Sequence, residues 1–292
     1  MFYKIKKKIL HLFYNTTIFL LEFKFFKKIS TYFINAYFID KGYCFDWEFL
    51  MSKSSNHLFQ GENIFISKFN NLNIKSCLDI GANIGHYSKE ILRTNTAANV
   101  IAFEPLPKCQ DYLKKIRKKY INRFIYFNCA LSNKAGFSHI YYDYQESPTA
   151  SLETSVNTKD FIKNHNLSLK VELKKLDNFI DDNRFDNVDF IKIDIEGHEF
   201  KAIEGGMNFI NKNNVKIIQI EFNWHHLFAN NTIFQFSELL NNYKIFQLNL
   251  INGKLIEVDK NHYFSNIFHL SNFIFVEKNF FEKNKNILLN TD

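Results

Sequence analysis

"LDIGANIGHYSKEI", Leu78 to Ile91, joins a short apolar run to a helical one through a turn holding two of the chain's 9 glycines. The run before it, "KSCLDIG" (Lys75–Gly81), is strand-like, and "HYSKEILRTN" after it has helical spacing. A glycine turn between strand and helix lets the backbone approach a ligand closely, beside the free N–H groups of a helix N-terminus. Asp79 stands at the strand end, followed by Gly81, Asn83 and Gly85. Dinucleotide enzymes place G-x-G-x-x-G here to seat a pyrophosphate. This turn lacks the middle glycine and sets an acid two residues ahead of the first. Such an acid repels a pyrophosphate and suits a ligand bearing an ammonium group, which disfavours an NAD-linked oxidoreductase. A purely structural turn, with an asparagine capping the helix, is the alternative.

The same rhythm continues outward. "NVIAFEP" (Asn99–Pro105) is a second strand, "KCQDYLKKIRKKY" a helix and "RFIYFNCAL" (Arg123–Leu131) a third strand. Strand and helix alternating in this way predict βαβ units and a parallel sheet, apolar on both faces because helices cover both. Glu104 ends the second strand, near the spacing of about 20 residues at which a carboxylate grips ribose hydroxyls. Pro105 and Pro107 stop that strand. An acid at a strand end is commonly just solvated, but its spacing from the glycine turn favours the functional reading. The polar stretch from Gly136 to Lys170 breaks the rhythm and reads as an insertion containing a hairpin. Its Tyr141, Tyr142, Tyr144, Thr149 and Ser151 can serve a sugar or a plain surface loop. Alternation then resumes with "VDFIKIDIEG", the helical "EFKAIEGGMNFINKN" and "VKIIQIEFN" (Val215–Asn223). Two further strands, "YKIFQLNL" and "SNFIFVEK", are joined by the hairpin-like "INGKLIEV".

Composition sets the bounds. The 292 residues are 46% apolar and 23% charged, an ordinary globular balance. Cys44, Cys77, Cys109 and Cys129 form no C-x-x-C pair and no zinc pattern, so free thiols and a reducing cytoplasm are expected. The net charge of +7 points to nucleic acid or an anionic membrane, and its distribution favours the membrane. In "MFYKIKKKILHLFYNTTIFLLEFKFFKK", seven lysines face one acid, Glu22. The segment lacks a cleavage site and is too polar to span a bilayer, which needs about 20 apolar residues. A basic, aromatic-rich helix over residues 1–28 can lie in a membrane interface; a packing helix with a solvated lysine face is the alternative.

The ordered series "LDIGANIG", "IAFEP", "NCALSNKAG", "LDNFI" and "VDFIKIDIEGHEFKAIEGG" resembles the FkbM-type family of class I, S-adenosylmethionine-dependent methyltransferases. The likeness runs from about Leu72 to Asn249. It implies a Rossmann-like α/β sheet of seven strands, the last antiparallel, in a domain over residues 61–292. A basic helical extension over residues 1–60 would precede it. It further implies that Asp79, Gly81, Asn83 and Gly85 line the methionine and ribose part of S-adenosyl-L-methionine, with Glu104 on the ribose hydroxyls. Asn128 and Ala130 would border the adenine.

Ligands of open α/β sheets bind beyond the carboxyl ends of the strands. "IKIDIEGHEF" ends the fourth strand there, so Asp194, Glu196 and His198 are the available acid/base groups. Glu221 on the adjacent strand joins them, with His225 and His226 close behind. Methyl transfer needs alignment of the acceptor and removal of its proton. The carboxylates can instead hold a divalent metal, and Glu196 or Glu199 can cap the following helix. His198 can be a base or a plain hydrogen-bonding residue. Amino-directed nucleic-acid methyltransferases of similar fold usually carry a proline pair, which this chain lacks, so oxygen is the expected acceptor and nucleic acid is not. The expected activity is O-methylation of a sugar hydroxyl in glycan or glycolipid biosynthesis, in the cytoplasm, with peripheral contact at the inner membrane face. The alternative is a peripheral membrane or RNA-binding protein with a non-catalytic cofactor pocket.

Overall fold

Runs such as "SCLDI", "NVIAF" and "IIQIEF" are rich in branched and aromatic residues, and the chain pairs them into one sheet. The computed structural model describes residues 60–157, 165–250, 252–266 and 270–289. Residues 1–59, with the expected membrane-facing helix and Cys44, lie outside the described residues. No helix among those described is long and apolar enough to cross a membrane.

Five parallel strands form the sheet's centre and one flank: β1 (Ser76–Ile80), β2 (Asn99–Phe103), β3 (Phe124–Phe127), β7 (Phe190–Ile193) and β8 (Ile217–Phe222). Beyond β8 lies β11 (Ser271–Glu277), antiparallel to it, then β9 (Tyr243–Leu248) and β10 (Leu255–Glu257). The order is β10-β9-β11-β8-β7-β1-β2-β3. The seven expected strands are present with the last antiparallel. The stretch read as a connecting hairpin supplies β10 as an eighth, paired to the outer edge of β9.

Strand alternation sorts the two faces. Leu78, Ile80, Ile191, Ile193, Ile218 and Ile220 pack on one side with Phe179, Phe185 and Phe209. The other side carries Cys77, Val100, Phe190 and Ile217 against four helices. These are α1 (Gln60–Ser67), α2 (His86–Thr94), α3 (Pro107–Lys119) and the C-terminal Lys278–Leu289. Asp79, Lys192 and Gln219 interrupt this second face, and each is buried. Asp79 and Lys192 sit in register on neighbouring strands. Cys77, Cys109 and Cys129 are buried free thiols.

Two expected elements are corrected. The single third strand over Arg123–Leu131 divides in two. β3 ends at Phe127, whose carbonyl accepts from Glu104 N, and β4 (Ala130–Leu131) joins a separate small sheet. That sheet has the order β4-β6-β5. In it β5 (Gly136–Tyr142) and β6 (Leu167–Lys174) form the antiparallel hairpin of the insertion. The long helix after "IDIEG" likewise divides, into α5 (Glu199–Glu204) and α6 (Met207–Asn213). The break falls at Gly205, whose backbone lies so close to the Ser132 carbonyl that a Cβ would stand 2.0 Å from its oxygen.

That contact is testable apart from backbone strain, because Gly205 has an ordinary helical φ of −74°. Gly205→Ala should lower unfolding free energy by about 1–3 kcal/mol through overpacking alone. Urea denaturation measures it, and an unchanged midpoint would show that the two segments part freely.

Candidate functional site

Two turns meet at the carboxyl ends of β1 and β7. In the first, Gly81, Asn83 and Gly85 have φ of 84°, 48° and 79°, a left-handed series that glycine and asparagine tolerate best. Gly81 N and Ala82 N donate to Phe103 O at 2.9 and 3.1 Å, fastening the turn to β2. A Cβ on Gly81 would lie 1.9 Å from the carbonyl oxygen of Asp194, so this glycine admits the second turn. Gly85 has a different partner. Its missing side chain makes room for Leu113 and Ile116 of α3.

Glu104, 5% exposed, accepts from Asn83 N at 2.8 Å and from Leu106 N at 2.8 Å. Burial pushes its carboxyl up to about 7 against those two donors. Asn83 Nδ2 donates in turn to Glu146 O and Ser147 O of the insertion, at 3.1 and 3.3 Å. Between these parts runs a narrow cleft open to solvent. Gly81, Asn83, Glu104 and Ala130 line it, with Phe103, Cys129 and Ile140 as its apolar part. Asp79 does not line it. That carboxylate is fully buried behind the turn, accepting from Ser88 N at 3.1 Å and Ser88 Oγ at 2.6 Å. Asn128 does not line it either: at the break between β3 and β4 it turns to solvent, and Cys129 takes the wall position.

The second turn is the acidic one. Asp194 N donates to Ile80 O at 3.0 Å, continuing the ladder one step past β7. Glu196 then takes φ 55° and Gly197 φ 100°, which swings the Asp194 and Glu196 side chains onto the cleft wall. Glu199, at the start of α5 and 1% exposed, locks this shape. Its two oxygens accept from Ile195 N at 2.8 Å and Gly197 N at 2.9 Å, and it pairs with His226 at 3.0 Å. The sequence suggested a helix-capping acid at Glu199; the structure gives it the whole turn to hold. Behind Glu196 stand Asn223 and His225, the latter in the short helix His225–Ala229. His225 Nδ1 lies 2.7 Å from Glu196 and 2.6 Å from Asn223 Oδ1.

Charge here is set by one cation. Lys192, buried in the middle of β7, puts Nζ 2.7 Å from Asp194 Oδ2. Burial alone would strip its proton; Asp194, Asp79 and Glu62 overrule that and hold it above the usual lysine range. Burial alone would likewise raise Asp194, but Lys192 and a hydrogen bond with Glu221 keep it below the usual carboxylate range. Glu221 goes the other way: burial, with the charges of Asp194 and Glu196, pushes it well up. Of the two, Asp194 is therefore the carboxyl that gives up its proton first and Glu221 the one that holds it longer. Ligand oxygens of Asp194, Glu196 and Glu221 fall within 4.8 Å of one another, a hard donor set of the kind divalent cations take. The Lys192 ammonium already supplies positive charge to that set.

His198 stands apart from these acids and off the cleft. Its Nδ1 is 2.5 Å from Glu153 Oε1 and its Nε2 2.9 Å from Ser132 Oγ, with the ring buried. Lys192 was not singled out from the sequence as a member of the site, and Glu199 was read there only as a helix cap. Lys192 had a signal there, a lone cation inside the apolar run "FIKI".

Comparison with known proteins gives a consistent picture. Residues 79–283 match the family described as Methyltransferase FkbM domain. The hexuronic acid methyltransferase AglP of Haloferax volcanii is 27% identical over 143 residues, 49% of this chain and 54% of that protein. The methyltransferase sdnD of Sordaria araneosa is 27% identical over 152 residues, 44% of this chain and 59% of its own. The chain thus spans somewhat more than half the length of these curated relatives. Among solved structures, an O-methyltransferase from Bacillus cereus in complex with SAH aligns at 11% identity. It covers 78% of this chain and 86% of that one, with a TM-score of 0.40.

The buried cation makes a stability prediction. Lys192→Met leaves Asp194 and Asp79 without their counter-charge and should cost roughly 3 kcal/mol at pH 7. Protonating those carboxylates removes the unpaired charge, so the deficit should shrink as pH falls toward 4. Chemical denaturation of both proteins at the two pH values measures this. A deficit constant with pH would mean that lost packing, not lost charge, is responsible.

Proposed function

The chain belongs to the FkbM methyltransferase family, and from that premise we propose that it moves the methyl group of S-adenosyl-L-methionine onto a hydroxyl oxygen of a sugar. The acceptor would be a glycan or glycolipid precursor. One observation carries this reading: Glu104 with an apolar floor on one bank of the cleft, and Asp194 and Glu196 on the other.

The residues present fit the cofactor. Phe103, Cys129 and Ile140 offer an apolar bed of the kind an adenine ring requires. Glu104 is an acceptor for ribose hydroxyls, since a carboxylate has about four lone-pair sites and two backbone donors leave room for more. The left-handed glycine turn brings backbone, without side chain, to the methionine end. When bound, S-adenosylmethionine supplies a methyl carbon already activated by its sulfonium.

The chain's own work is then alignment and proton removal. Asp194, ionised beside Lys192, is the group on the cleft wall ready to take the acceptor's proton. Glu221, whose burial beside Asp194 and Glu196 disfavours its charged form, hydrogen-bonds Asp194 and limits the build-up of negative charge in the site. Glu196, tied to His225 and Asn223, holds the edge of the turn against which the acceptor rests. A sugar acceptor draws support from the description of AglP as a hexuronic acid methyltransferase. Oxygen as acceptor draws support from the absence of a proline pair. The basic segment over residues 1–28 is the proposed contact with an anionic membrane, where lipid-linked sugars would be met.

Incubation with methyl-labelled S-adenosylmethionine and a panel of glucosides, glucosaminides and glucuronides tests the reaction. Label should appear on a sugar oxygen by mass spectrometry. Label on nucleic acid, or cofactor binding with no transfer to any sugar, would overturn the assignment. With the methylated acceptor in hand, Asp194→Asn should cut turnover by about 10²–10⁴-fold. Affinity for S-adenosylhomocysteine should change little.

Glu104 adds a pH signature. The free protein holds this carboxyl protonated below about 7, and only the ionised form accepts both ribose hydroxyls. Affinity for S-adenosylhomocysteine should therefore rise with pH up to about 7 and level off above, falling about tenfold per unit below. Calorimetry from pH 5.5 to 8.5 should show this slope in the wild type and none in Glu104→Gln. An equal slope in both would place the titrating group elsewhere.

A further inference from the structure

The insertion does more than border the cleft. Between β5 and the short helix Thr154–Asn157, the segment Tyr144–Glu153 crosses from one bank to the other. Ser147, Pro148, Ala150 and Leu152 from it form part of the cleft wall. At its near end Asn83 of the glycine turn donates to Glu146 O and Ser147 O. At its far end Ser151 Oγ donates to Glu196 O at 2.7 Å, reaching the acidic turn. Ser151 also exchanges both backbone bonds with Tyr141, at 2.9 and 3.0 Å, which ties it to β5. A ligand lying between Glu104 and Asp194 would lie beneath this strap.

The last tie is ionic. Glu153 accepts from Lys201 Nζ at 2.6 Å and meets His198 Nδ1 at 2.5 Å. Burial alone would raise the Glu153 carboxyl; the bonds to His198 and Lys201 hold it below the usual range, so it is ionised. A carboxylate accepts only, so Nδ1 carries a proton toward it, and Nε2 shares a hydrogen bond with the Ser132 hydroxyl. Both ring nitrogens are then engaged with protein partners, away from the cleft. Ser132 directly follows β4, whereas His198 is the residue on which α5 begins. One imidazole thus joins the strap, the small sheet and the acidic turn.

We propose that His198 is a positioning residue that fastens the strap Tyr144–Glu153 over the cleft, so that cofactor exchange requires release of the His198–Glu153 contact. The proposal rests on the cleft being the cofactor site. It gives His198 a task in retention and orientation in place of proton transfer. Closure by a segment of this size excludes water and commits the bound ligand, and its opening sets exchange rates.

The test uses the full-length protein with S-adenosylhomocysteine as probe, read by hydrogen exchange and by stopped-flow dissociation. In the wild type the ligand should slow exchange over residues 141–153. His198→Ala and Glu153→Gln should speed exchange there. Each should raise the dissociation rate roughly tenfold or more, the scale of one lost charged hydrogen bond. His198→Asn, which keeps a donor toward Glu153, should recover part of both effects. A merely structural role would show exchange rising as much through α5 and β7 as in the strap, and that result overturns the proposal. So do wild-type dissociation and strap exchange in both variants. A wild type that fails to bind the probe overturns the cofactor reading and the retention role with it. In that event, exchange in the unliganded variants still decides whether His198 holds the strap.

Discussion

The structure hangs on one ammonium group. A parallel sheet covered on both faces has no water to offer a charged side chain, yet Asp79 and Lys192 occupy its centre and Asp194 and Glu221 its edge. Uncompensated, any of these acids would take up a proton or force the sheet open. Lys192 lies in register with Asp79 and within 2.7 Å of Asp194, with Tyr87 beneath it at 5.1 Å from the ring centroid. The polar stripe continues through Gln219, which donates to Glu62 and Asn272 and accepts from Tyr87. The arrangement keeps a charged carboxylate at the end of β7 within a sheet whose two faces are otherwise largely apolar. A polar cluster built in this way is rigid, because moving one member would orphan the others.

Much of this was legible along the chain, and the reason is locality. The glycine turn, the acid at the end of β2 and the acids at the end of β7 each follow a strand within a few residues. Strand spacing alone brings them to one edge. Gly81, Asn83, Glu104, Ala130, Asp194 and Glu196 are found on the cleft for that reason. Where the sequence misled, the deciding partner was remote. His198 meets a carboxylate 45 residues away and a hydroxyl 66 residues away. The turn to solvent at Asn128 depends on β4 pairing with β6, over forty positions later. Gly85 has the motif's spacing, but its missing side chain serves packing against α3. No local pattern distinguishes a glycine that admits a ligand from one that admits a neighbouring helix.

The two turns also show how strain is distributed. Asn83 and Glu196, both with side chains, take left-handed backbone conformations across the cleft from one another. Each is over-determined by its surroundings. Asn83 is held by its N–H on Glu104 and its amide on the strap, and Glu196 by Glu199 bonding the amides on either side of it. Such conformations cost about 1–3 kcal/mol each and persist only under this kind of constraint. Asn73, Asn187, Asn214 and Asn230 take the same conformation in other turns, so Glu196 is the one described residue that does so without being glycine or asparagine, and it stands on the cleft wall.

The antiparallel strand β11 has a consequence for how the chain is made. It lies between β8 and β9, although both of those strands precede it in the chain. During synthesis, β8 leaves the ribosome with β7 to pair on one edge and nothing for the other. β9 and β10 can meet only each other until residue 277 has emerged. Two unpaired apolar edges are thus exposed at the same time, a template for wrong pairing with another nascent chain. The sheet closes in one late step, when "SNFIFVE" enters the gap and satisfies both edges together. Nascent chains ending short of that segment would be more than unfinished: each would present two adhesive surfaces that the mature protein keeps inside its sheet, making them natural clients for chaperones.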